Sequence, residues 1–168
     1  MLGFARRYVR IVDAINYRMG RIIMYFIFVM VAILLWSSIS KTFFLPSLWT
    51  LEMAQFAMVA YYILGGPYSM QQKAHVRMDL FYGGMSDKRK AQIDAITILF
   101  LIFYLGVMLY GAYDSTSYSF QYGERSPTAW RPYIWPIKVV MCFGIFMMLL
   151  QSISEFFKDI ATLKGVEI

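Results

Sequence analysis

The chain has 168 residues, of which 60% are hydrophobic and 18% aromatic, and it carries a formal net charge of +6. This is too apolar for an ordinary soluble domain and leaves no length for a nucleotide-binding fold, while a single cysteine, Cys142, excludes a disulfide framework. The basic residues cluster beside apolar runs, a pattern that favours anionic phospholipid headgroups as partners and not nucleic acid.

Residues 1–18 place Phe4, Tyr8, Ile11, Val12 and Ile15 at helical spacing, with Arg6, Arg7, Arg10 and Asp13 mostly on the other side. This predicts an N-terminal amphipathic helix lying in the headgroup layer. A secretory signal peptide is the competing reading, and it fails because the apolar run is too long and lacks a small-residue cleavage site.

Four long runs follow: Ile22–Ser40, Met53–Gln72, Ala95–Tyr113, and Tyr133–Ser154 interrupted by Lys138. A helix needs about 20 apolar residues to cross a hydrocarbon core of about 30 Å, and its backbone groups must be satisfied within the segment. The sequence therefore predicts an all-α integral membrane protein, a single membrane domain over 1–168. Its four transmembrane helices form two hairpins, with spans near 20–40, 48–70, 93–113 and 134–153. The first turn, with Phe43, Phe44 and Trp49, is rich in interfacial aromatics, and Pro46 ends one helix before the next begins. Gly65, Gly66 and Pro67 are expected to loosen or bend the last turn of the second span. The loop 71–92 is polar and basic; within it, Ser86 and Asp87 read as an N-cap and an acidic first turn. The turn 114–133 is rich in polar residues and proline, and Glu155–Leu163 reads as a second interfacial helix.

Lys and Arg set the orientation. Twelve flank the N-terminus, the central loop and the tail, against Lys41, Arg125, Arg131 and Lys138 on the opposite side. Positive residues stay inside, so both termini and the loop 71–92 are expected to be cytoplasmic.

Candidate chemistry is sparse. His75 is the only histidine, so one copy of the chain cannot build a bis-histidine haem site, and neither a zinc nor a redox centre is supported. His75, Arg77 and Asp79 alternate with Val76 and Met78, which in an extended segment puts three polar side chains on one face. An internal ion pair, a headgroup contact and a docking surface for another subunit all fit them. Glu52 lies near the outer end of the second span, where it can reach the interface and the helix N-terminus. Glu124 and Arg125 read as a solvated pair in the outer turn. With Trp130, Arg131 and Trp135 among prolines, they suggest a rigid, exposed platform for a soluble partner. The middle of each span lacks an acidic residue, and there is no pair of broken helices of the kind that forms ion and substrate sites in many carriers. No catalytic constellation emerges.

Trp49 stands three residues before Glu52 at the start of the second span. Gly65-Gly66 is followed by the run His75-Val76-Arg77-Met78-Asp79, and GERSPTAWRPYIWP precedes the last span. In this order and spacing, over about residues 10–155, the chain resembles the small membrane subunit of tripartite ATP-independent periplasmic (TRAP) transporters, the DctQ-like family. The resemblance implies a non-enzymatic scaffold subunit in a bacterial inner membrane. It would work beside a large membrane subunit that holds the substrate and sodium sites, and with a periplasmic substrate-binding protein that delivers an organic acid. No cofactor is implied for this chain; sodium belongs to the large subunit. By the same resemblance, Trp49 and Glu52 would belong to the outer end of the scaffold. His75, Arg77 and Asp79 would brace its cytoplasmic side, and Glu124, Arg125, Trp130 and Arg131 would lie where the large subunit or the binding protein could touch. Two other readings compete: an autonomous four-helix carrier, which needs an acidic residue deep in a span, and the membrane anchor of a respiratory enzyme, which needs haem-ligating histidines.

Overall fold

The computed structural model describes residues 2–72 and 87–163. Five helices carry this part of the chain: α1 (Leu2–Met24), α2 (Phe26–Phe43), α3 (Thr50–Gln71), α4 (Asp87–Tyr122) and α5 (Trp135–Leu163). The described residues are all-α, with a single isolated bridge in the outer turn and no strand.

Local chemistry explains the helix ends. One turn residue, Tyr25, separates α1 from α2, so the expected interfacial helix does not stop at residue 18 but runs on almost continuously into the first span. α2 ends where Phe44 turns extended, two residues before Pro46, which cannot continue a helix. α3 holds its helical pattern through Gly65, Gly66 and Pro67 to Gln71, against the expectation that this cluster loosens its last turn. α4 begins at the expected Asp87 and stays helical past residue 113, through Asp114, Ser115, Thr116 and Ser117. Neither glycine nor proline interrupts it between Ala112 and Gly123, and Thr116 folds its hydroxyl back onto the Ala112 carbonyl at 2.6 Å. Gly123 then ends α4 with φ +60°, and the Glu124 N–H donates to the Ser119 carbonyl at 3.2 Å, a Schellman closure open to glycine at little cost. α5 takes Pro136 in its first turn, where a missing N–H costs nothing, and it absorbs the tail expected as a separate interfacial helix.

α5 is the hub. It packs against α4, α3 and α1; α3 in turn contacts α1 and α2, while α4 has substantial contacts with α5 alone. The close approaches need glycine. A Cβ on Gly144 of α5 would lie 2.2 Å from Ile63 Cγ2 of α3, and one on Gly20 of α1 would lie 2.2 Å from Tyr68 Cγ. Small residues at such crossings are how helices gain packing contact in lipid, where burial of apolar surface drives nothing.

Three described helices are long and apolar enough to cross a membrane: Ala5–Phe43 (α1 and α2 taken together), Gln92–Tyr122 and Trp135–Leu163. The fourth expected span, carried by α3, is 22 residues long. It falls below the others because Glu52, Gln55, Tyr61, Tyr62, Tyr68 and Ser69 dilute its apolar content.

Candidate functional site

Two polar clusters stand at opposite ends of the hub helix. At its C-terminal end, a cluster centred on fully buried Gln151 of α5 joins three helices. Asn16 Nδ2 of α1 donates to Gln151 Oε1 at 2.7 Å, while Gln151 Nε2 donates to Asp13 Oδ1 at 3.1 Å and to Glu155 Oε1 at 3.0 Å. Ser154 Oγ adds a bond to Asp13 Oδ1 at 3.0 Å, and Gln71 Nε2 of α3 reaches the Asp13 carbonyl at 3.2 Å. Lys158 sits between the two carboxylates, its Nζ 2.7 Å from Asp13 Oδ2 and 2.7 Å from Glu155 Oε1. In a low-dielectric setting these bonds strengthen one another, and removing one member strands the rest. Their arrangement suits clamping α1 to the bundle. Among the described residues no group of three or more His, Cys, Asp or Glu side chains could hold a metal.

At the other end, the segment 124–134 folds back on itself. Arg125 and Tyr133 pair as an antiparallel bridge, Ser126 N–H donates to Pro132 O at 2.9 Å, and Ile134 N–H to Glu124 O at 3.1 Å. Neighbours on an extended backbone point to opposite sides. Glu124 and Arg125 accordingly do not pair with each other, contrary to their reading from sequence. Glu124 Oε2 meets Lys138 Nζ at 2.8 Å and accepts from Ser119 Oγ, and Lys138 also donates to Ser119 Oγ at 2.6 Å. The Lys138 hydrogen bond, with help from Ser119, holds the Glu124 carboxyl below its ordinary range. Arg125 lies over the Tyr133 ring, 4.2 Å from its centroid, and donates to its hydroxyl. Arg131, at the tip, adopts φ +50°, a backbone conformation seldom taken by a residue with a side chain.

Trp49 caps α3 and is exposed, as are Trp130 and Arg131. Glu52 differs from its expectation: it is 4% exposed, and its Oε2 has no hydrogen-bond partner among the described residues. Pairs across the α3–α5 contact (Gly66 with Met148, Met70 with Ser152) set Glu52 level with the start of α5, beneath the outer turn. Nearby, Thr50 Oγ1 bonds Ser37 Oγ at 3.1 Å and ties α3 to α2. His75, Arg77 and Asp79 lie outside the described residues.

Residues 20–162 match the family described as tripartite ATP-independent periplasmic transporters, DctQ component. The chain belongs to the DctQ family. No curated protein and no solved structure matches it. As a DctQ chain it is the small subunit of a TRAP transporter, a membrane component of a transport system and not an enzyme. The matched region includes the outer turn and α5 but begins after Asp13 and Asn16, so the α1 half of the inner cluster is outside it. Sequence reasoning missed that cluster. The available signal was the polar run Gln151, Ser152, Ser154 and Glu155 closing an otherwise apolar helix, together with Asn16 in register with Val9 and Val12 on α1.

Proposed function

We propose that this DctQ chain is a scaffold subunit of a TRAP-type secondary transporter that imports organic acids with sodium. It would pack beside a large transport subunit that holds the substrate and sodium sites, and a periplasmic binding protein would deliver the substrate. The proposal includes four spans in two hairpins, α3 being one of them, in a bacterial inner membrane with both termini cytoplasmic. α1 is the interfacial helix: Ile11, Ile15 and Ile22 are exposed on one side and Arg7, Arg10, Arg18 and Arg21 on another, while Val9, Val12 and Asn16 face the bundle.

The observation that carries the scaffold role is the character of two grooves. One of about 640 Å³ lies between α4 and α5, and one of about 730 Å³ between α2, α3 and the start of α5. Both open to the surface, and apolar side chains dominate their walls, so they offer no charged groups for a carboxylate and suit lipid chains or neighbouring helices. Trp49, Glu52, Glu124, Arg125, Trp130 and Arg131 would support or line the outer contact surface; His75, Arg77 and Asp79 would brace the inner one.

The test is reconstitution. The large subunit would be placed in proteoliposomes with and without this chain, with the binding protein added outside, and uptake of labelled organic acids followed under a sodium gradient. Uptake that needs both subunits and sodium is the expected result. Uptake by this chain alone would favour an autonomous carrier, and uptake indifferent to sodium would remove the coupling.

A further inference from the structure

α4 presents a face that α5 leaves bare. Phe103, Val107, Tyr110, Asp114, Tyr118 and Gln121 are exposed along it, Tyr110 to 77%. Asp114 has Tyr110 and Tyr118 one turn away on either side. Among the described residues its carboxylate has no hydrogen bond or ion pair.

Its depth makes this costly. The apolar pattern ends the third span at residue 113, leaving Asp114 in an outer turn, but the helix carries on to Tyr122. The outer boundary is marked by the Phe120 and Trp135 rings, 5.9 Å apart, and by the Lys138–Ser119 contact at 2.6 Å. The fourth span, read over 134–153, puts Lys138 near its outer end. Thr116 of α4 touches Cys142 at 3.3 Å, already one turn inward of Lys138. Asp114 lies further in again, about 8 Å below Ser119 by helical rise. A side chain this short cannot reach back to the headgroups as a lysine does. An ionised carboxylate facing acyl chains at that depth is strongly disfavoured unless it is paired.

We infer that the bare face of α4 is a helix-docking surface whose occupant is a transmembrane helix of the partner subunit, bearing an arginine or lysine opposite Asp114. Charge complementarity selects that occupant over lipid. Tyr110 and Tyr118 flank the pair with hydroxyls, and Phe103 and Val107 continue the contact inward as an apolar strip. This rests on the subunit reading above and adds which face meets the large subunit and through which charge.

The test uses the chain co-expressed with its large subunit in native-type membranes. A benzophenone side chain is introduced at Tyr110 and, as the comparison, at Phe28 on the exposed face of α2. After illumination, adducts are identified by mass spectrometry, and co-purification is measured for Asp114→Asn and Asp114→Arg. The expected result is an adduct to the large subunit from position 110 and not from 28. Co-purification should drop on the order of tenfold or more for Asp114→Arg, because like charges are then forced together, with a smaller loss for Asp114→Asn. Exchanging Asp114 and the basic residue nearest the adduct between the two chains should restore the complex. An intact complex that cross-links from position 28 instead, or that tolerates Asp114→Arg, overturns the docking face and leaves the subunit reading standing. An adduct to a second copy of the chain or to phospholipid alone also overturns it. Failure of the unaltered chain to co-purify with the large subunit overturns the subunit reading and this inference with it. The yield and helicity of Asp114→Arg expressed alone separate an assembly defect from a folding one.

Discussion

Gln151 is the side chain on which most of the inner cluster depends, since its amide both accepts from α1 and donates to carboxylates on α1 and α5. Gln151→Leu keeps the volume but strands Asn16 and removes a donor from Asp13 and Glu155. It is expected to destabilise the chain in detergent by about 1–3 kcal/mol, the usual penalty for unmet buried polar groups, as read by thermal unfolding. At the outer end, Glu124 gives a pH signature. Its folded-state carboxyl titrates below the ordinary value of 4.5, so its contact with Lys138 contributes fully above that value and is lost as pH falls through the depressed one. Unfolding temperatures of the unaltered chain and Glu124→Gln should therefore differ near neutral pH and converge in acid; a gap that persists in acid would remove the contact from the explanation. The outer residues are legible as a group from their setting among prolines and tryptophans, but their pairing is not. Adjacency in sequence suggests Glu124 with Arg125, and the alternation of an extended backbone sends them to different partners. Glu52 reads correctly as lying in the first turn of α3, yet its burial comes from packing that its own neighbourhood in sequence does not mention.

For the helices, hydropathy identifies the apolar segments, and helical continuity obeys a different rule. Lipid selects apolar residues, whereas a helix ends only where a backbone group or φ angle fails, so α4 runs on through Asp114–Ser119 until Gly123 and α5 runs on through Glu155 to Leu163. For the same reason α1 and α2 nearly merge, and the Gly65-Gly66-Pro67 cluster sits within α3. The packing of α3 on α5 gives the sharpest test at this scale. Gly144→Val would drive a methyl-bearing Cβ to within 2.2 Å of Ile63 Cγ2, and the two helices must part. A loss of about 1–3 kcal/mol, seen as a lower unfolding temperature and reduced yield, is the expected outcome of such overpacking. Gly106→Val is the matched control: its Cβ meets nothing within 4 Å, so stability should be nearly unchanged. Equal damage from both would mean that the α3–α5 contact does not set the cost, since valine is a better helix former than glycine at either position.

For the molecule as a whole, the charge bias predicts a topology that labelling can read. In cells expressing the chain with Cys142 replaced, a membrane-impermeant maleimide added outside should modify Thr128→Cys in the outer turn and spare Gln72→Cys at the end of α3. The reverse pattern would invert the assignment and move the basic loop outside. The helix order adds a consequence for biosynthesis. α1 leaves the ribosome first and α5 last, yet Asn16 and Gln151, 135 positions apart, satisfy each other. Until the final helix is threaded, the nascent chain carries an amide and a carboxylate on α1 with no α5 to receive them. Loop closure over that separation comes late. A chain stalled before Gln151 would thus display unmet polar groups beside the membrane, a mark by which surveillance proteases could tell unfinished copies from finished ones.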